Sequence, residues 1–173
     1  MPGRKEEREV RKHRDDLIGE HKLGDAGQAI LACLFFSVWI ADSFFLEYTT
    51  ALNGIVPLGF RLPVGIILLV LSAYLARTGL SIVFGEKRQK PAVLRKSVFG
   101  VVRHPIYLSE LLLYPGLLMM SISLAAAVVW LIGIVFLHYL SRYEEKLLLA
   151  HFGKEYQQYM SEVPMWVPRL RRK

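Results

Sequence analysis

Two polar clusters carry the residue types that could do chemistry. Arg103-His104-Pro105-Ile106-Tyr107 opens one apolar segment, and Arg142-Tyr143-Glu144-Glu145 closes the next. An imidazole or a carboxylate can move a proton or hold a cation, and a guanidinium can orient an anion. Paired acids such as Glu144 and Glu145 favour a cationic ligand. Glu110, one turn above Tyr107, is an acid inside an apolar run, and an ionisable group at membrane depth is a functional candidate. No His or Cys cluster has the spacing of a metal site, so no metal is expected. Each residue also has a plain structural use. Pro105 suits the first turn of a helix. Arg103 could anchor to phosphate headgroups, and Tyr107 could belong to an interfacial aromatic belt. Glu144 and Glu145 could be solvated helix residues.

The elements between the clusters must bring them together. From Pro105 to the uncharged tip near Leu124 is about 19 residues, or about 29 Å of helix, and the return to Tyr143 is about the same. A tight hairpin of matched arms predicts that His104 and Tyr107 face Glu144 and Glu145 at one membrane surface. Four spans are expected in all, near residues 26–48, 62–84, 105–123 and 125–141. After Ser141 the pattern stays helical and becomes amphipathic: Leu147, Leu148, Phe152, Tyr156, Tyr159 and Met160 recur at helical spacing. It predicts a helix along the membrane surface, ended by Pro164 and Pro168. The fold class is therefore all-α: a polytopic membrane protein with an amphipathic C-terminal cytoplasmic helix.

Composition agrees. Hydrophobic residues are 53% and charged residues 21% of the 173, and the charges are segregated from the apolar runs. The net charge of +7 would suggest nucleic acid in a soluble protein. Flanking apolar spans, it points instead to anionic lipid headgroups, with no nucleic-acid partner. Residues 1–25 read as a charged arm ahead of a membrane domain over 26–173. The basic 85–104 loop and the basic tail place both termini and the site on the cytoplasmic face. Asp42 reads as an interfacial acid and Arg77 as a snorkelling cation or one facing a ligand. Cys33, the single cysteine, excludes an intramolecular disulfide and reads as a small packed hydrophobe.

The block Phe99-Gly100-Val101-Val102-Arg103-His104-Pro105-Ile106-Tyr107, then Glu144-Glu145-Lys146-Leu147-Leu148, then Phe152-Gly153-Lys154-Glu155-Tyr156 and Val163-Pro164 resembles the isoprenylcysteine carboxyl methyltransferase family. The wider group includes phospholipid N-methyltransferases. The resemblance runs over roughly residues 60–168. It implies S-adenosylmethionine as cofactor, in a pocket capped by the helix after the last span. His104, Pro105 and Tyr107 would line that pocket with Phe99. Glu145, beside Glu144, would hold the cofactor's amino group. Val93 and Leu94 would pack near its adenine. Where the family has glycine and tyrosine, this chain has Ser97 and Phe99. Where carboxyl-methylating members place an arginine five residues before the glutamate, it has Leu140, with Arg142 two residues on.

The resulting expectation is methyl transfer to a lipophilic acceptor arriving from the bilayer. A prenylated or other lipidic carboxylate comes first, oriented by Arg142. A phospholipid amine and a small lipophilic thiol follow, and Glu110 is a further candidate for the acceptor pocket. The alternatives are an NADPH-dependent membrane reductase, with Arg95, Lys96 and Arg103 as phosphate partners, and a non-enzymatic membrane scaffold. The sequence leaves the oligomeric state open.

Overall fold

The computed structural model describes residues 22–85 and 92–168. The arm up to residue 21, with Lys87, Arg88 and Lys90 of the basic loop and the last five residues, lies outside them. Every regular element among the described residues is helical. These are α1 (Lys22–Ala41), α2 (Leu58–Phe84), α3 (Pro105–Met120), α4 (Leu124–Phe152) and α5 (Lys154–Glu162). A wide π-type turn, Asp42–Leu46, extends α1 until Glu47 ends it at φ 53°. With that extension α1, like α2 and α4, is long and apolar enough to cross a membrane. The apolar α3 is shorter, at 16 residues, or about 24 Å. The outward faces are aliphatic and aromatic, including Ile30, Ile67, Val70, Ile132 and Val135. Such a surface is expected against lipid rather than water.

Two expectations about the helices change. Asp25, read as part of the charged arm, stands within helix α1. At the other end no separate surface helix begins at residue 142. α4 continues unbroken for 29 residues to Phe152. The composition shifts at Ser141 while the backbone hydrogen bonding runs on. The direction changes at Gly153, whose φ of 55° and ψ of −125° suit glycine alone.

Small residues set the packing, as membrane helix interfaces require. α2 lies along α3. A Cβ on Gly65 would meet Met120 Cε at 2.5 Å and Met119 Cβ at 2.9 Å, and one on Gly79 would meet Ile106 at 2.8 Å. Between them Ser72 donates to the Ser109 carbonyl at 2.7 Å. α1 packs on α4 in the same way. Gly24 abuts Leu140, Gly27 abuts Phe136, and Gly133 abuts Leu31. α1 and α2 do not pack along each other.

The end of the bundle remote from His104 is closed by polar contacts. Thr49 and Asn53 bind the backbone that joins α3 to α4: Ala125 N–H donates to Thr49 Oγ1 at 3.0 Å, and Ile122 N–H to Asn53 Oδ1 at 2.8 Å. Asp42, at the end of α1, is held by Thr49. It is buried and accepts from the Thr49 amide and hydroxyl. Cys33 is not packed but exposed on the outer face of α1. Arg77 is exposed too, away from the cavity described next.

Candidate active site

The hairpin joins the two polar clusters. Pro105 at the first position of α3 leaves His104 at its N-cap, and Glu144 and Glu145 arrive on α4 one residue apart. Neighbours on a helix diverge by about 100°, so the two carboxylates take different partners. Tyr107 O–H donates to Glu144. Glu145 Oε1 accepts from Arg103 Nε at 2.8 Å and lies 2.7 Å from Nη2. His104 Nε2 approaches the same oxygen at 3.2 Å. The other oxygen of Glu145 is buried without a hydrogen bond, and Arg142 Nη1 stands 3.8 Å from it.

Arg103 is spent on structure. Its Nη1 donates to the carbonyls of Met160, at 3.0 Å, and Val163. The segment after α5 returns the contact: Arg103 N–H donates to Pro164 O at 2.9 Å and His104 N–H to Met165 O at 3.3 Å. The buried Arg103–Glu145 pair therefore has the added hydrogen bonds that a desolvated ion pair needs. Burial holds the His104 imidazole below its ordinary range, against the opposing pull of Glu145. The ring sets Nε2 against Glu145 and Nδ1 3.6 Å from Glu144, and lies parallel to Tyr107 with centroids 5.5 Å apart.

A cavity of about 430 Å³ opens beside this cluster, a size suited to a cofactor or small ligand. One wall is apolar and aromatic: Val93, Leu94, Phe99, Leu148, Phe152, Tyr156 and Tyr159. α5 is fastened over it. Tyr159 O–H donates to the Phe99 carbonyl at 2.7 Å, and Arg95 joins Glu162 at 3.3 Å and the Glu155 carbonyl at 2.7 Å. Burial raises the phenols of Tyr156 and Tyr159 well above their usual range. A second wall holds Arg103, His104, Pro105, Tyr107 and Glu144. The third is α1, which contributes Asp25 and Gln28, with Leu80, Val83 and Phe84 of α2 on the other side.

The cavity thus gathers Val93, Leu94, Phe99, His104, Pro105, Tyr107 and Glu144. Glu145 lies one layer behind, and Arg142 and Glu110 do not line the cavity. The Arg142 side chain is 59% exposed. Glu110 accepts from Tyr114 O–H within α3. Arg95 is engaged with α5, and Lys96 is outside the lining, so neither faces the cavity as a phosphate partner. Sequence reasoning misses Asp25 and Gln28. Asp25 looks like one more acid of the arm, and the local sign that its turn is packed is the pair Gly24 and Gly27. Ser97 is also informative. It adopts φ 53°, the left-handed region that favours glycine, at the position where the resembling family has one.

The model of the family described as phospholipid methyltransferase matches residues 56–155. No curated protein matches the chain. The matched stretch runs from the start of α2 into α5 and takes in both polar clusters, Phe99 and most of the aromatic wall. With its apolar helices and this site at one end of the bundle, the chain belongs to the phospholipid methyltransferase family of membrane methyltransferases.

Proposed function

We propose that this protein transfers the methyl group of S-adenosylmethionine to the amine of a phospholipid headgroup. The observation that carries the acceptor is the charge of the cavity lining. Its carboxylates are Asp25 and Glu144, and its one guanidinium among the described residues, Arg103, is committed to Glu145 and two carbonyls. An isoprenylcysteine carboxylate would need a cation in the cavity. Leu140 replaces the arginine that would supply it, and Arg142 lies outside.

The lining fits the cofactor. S-adenosylmethionine carries a sulfonium, an ammonium and an adenine. Aromatic faces attract a desolvated cation, and a carboxylate is a charge-assisted partner for an ammonium. Tyr107, Tyr156 and Glu144 offer these groups, while Val93, Leu94 and Phe99 make an apolar slot for a base. When bound, the cofactor supplies an electrophilic methyl: an acceptor lone pair bonds to its carbon as the carbon–sulfur bond breaks, that electron pair staying on sulfur. The chain's residues hold the partners in line and exclude water, which is where most of the acceleration in such displacements comes from. Tyr107 fixes the Glu144 carboxylate. Arg103 and Glu145 fix the backbone that presents His104 and Tyr107. The basic residues at this end, Arg95, Lys96, Arg142, Lys146 and Lys154, support a cytoplasmic orientation of the site.

Binding tests the donor half directly. S-adenosylhomocysteine at about a hundred times its Kd should stabilise the purified protein by about 2.7 kcal/mol. NADPH should have no effect, and Glu144→Gln should weaken the response. Stabilisation by NADPH and none by S-adenosylhomocysteine would overturn the reading.

A further inference from the structure

We infer that the gap between α1 and α2 is the acceptor's lateral entrance, and that Asp25 on its α1 lip binds the acceptor's amine. This rests on the amine-lipid reading above. α1 is held to α4 and α2 to α3, and the two do not pack along each other. Yet both line the same cavity, at the end that carries His104 and Glu144. The cavity is thus flanked there by two helices whose outer faces are apolar and exposed. The lips differ in chemistry. Asp25 and Gln28 make the α1 side polar, and Leu80 and Phe84 make the α2 side aliphatic and aromatic, with 42% and 50% of their surfaces exposed. An amine phospholipid has the same division: a zwitterionic headgroup with its ammonium outermost, joined to apolar chains.

The placement of Asp25 is set by packing. A Cβ at Gly27 would lie 2.4 Å from the Phe136 ring, and one at Gly24 would lie 3.1 Å from Leu140. Glycine at both positions brings the first turn of α1 against α4. The Asp25 carboxylate then lines the same cavity as Tyr107 and Glu144. The site therefore offers two carboxylates to two cations. Glu144, bonded to Tyr107, serves the cofactor. Asp25, exposed at the mouth, serves the acceptor. Asp25 would hold the incoming ammonium by charge; once one N–H proton has left to water, the nitrogen lone pair would bond to the methyl carbon as the carbon–sulfur bond breaks. α1 lies outside the matched residues 56–155.

The test uses the full chain in vesicles containing an amine-headgroup phospholipid, with methyl-labelled S-adenosylmethionine. Asp25→Asn should raise the KM for the amine lipid about tenfold or more, the weight of a charged hydrogen bond. Asp25→Glu should restore most of it. S-adenosylhomocysteine affinity should stay within about twofold in both. Leu80→Trp, at an exposed position, should also impair the lipid and spare the cofactor. Amine-lipid labelling with an unchanged KM in Asp25→Asn would overturn the assignment and leave the amine reading standing. So would a parallel loss of cofactor affinity, which would move Asp25 to the donor side. If the unaltered protein labels no amine lipid, the amine reading fails and Asp25 loses its role with it.

Discussion

At the scale of single residues, the site is a division of labour between adjacent carboxylates. Glu144 faces the cavity, and Glu145 is 3% exposed behind it, beneath Arg103 and His104. Removing the Arg103 guanidinium leaves a buried carboxylate without its main partner. Arg103→Ala should therefore destabilise the protein by about 3–5 kcal/mol, as seen in unfolding from detergent micelles. Exposed Arg142→Ala should change stability by less than about 1 kcal/mol. His104 makes a second residue-level prediction, through pH. Burial lowers its folded-state value below the ordinary 6.5. The unfolded chain then takes up a proton, below about pH 6.5, that the native state refuses. The contribution of His104 is complete above that pH and is lost as pH falls through the folded value. Melting temperatures measured from about pH 7.5 down to about pH 5.5 should fall more steeply for the unaltered protein than for His104→Gln. Equal slopes would show that His104 is not buried as a neutral ring.

At the scale of elements, close helix contact depends on the absence of side chains. A Cβ on Gly65 of α2 would crowd Met119, Met120 and the Gly116 carbonyl, the last at 3.0 Å. A backbone oxygen cannot move aside as a side chain can. Gly65→Val should therefore cost about 1–3 kcal/mol by overpacking, measured as lost thermal stability. Little or no change would mean that α2 and α3 are less closely held. The elements also show what was legible in the sequence. The juxtaposition of His104 and Tyr107 with Glu144 and Glu145 was readable because a hairpin with a short uncharged tip has one geometry. The course of α4 beyond Ser141 was not. A change from apolar to amphipathic patterning looks like a new element, and only the φ of Gly153 marks where the backbone turns.

At the scale of the whole molecule, charge segregation made the all-helical membrane fold legible, whereas contacts between distant segments were hidden. Asp42 had the composition of an interfacial acid, and its burial depends on Thr49 folding back over it. Asp25 had the composition of the arm, and its place in the cavity depends on α1 packing against α4, far away in the chain. The resulting bundle has one end stitched shut by Thr49 and Asn53 and the other hollowed beside the two polar clusters. On the proposed reading, that asymmetry pairs an anchoring end with a chamber that a soluble donor and a lipid would both reach. The central claim is methyl transfer to a lipid amine, and product identification tests it most directly. The protein is incubated in mixed-lipid vesicles that also contain a prenylcysteine, with methyl-labelled S-adenosylmethionine, and the labelled molecule is identified by mass spectrometry. The account predicts label on the headgroup nitrogen of the amine phospholipid. Label on the prenylcysteine carboxylate, or on no lipid at all, would contradict it.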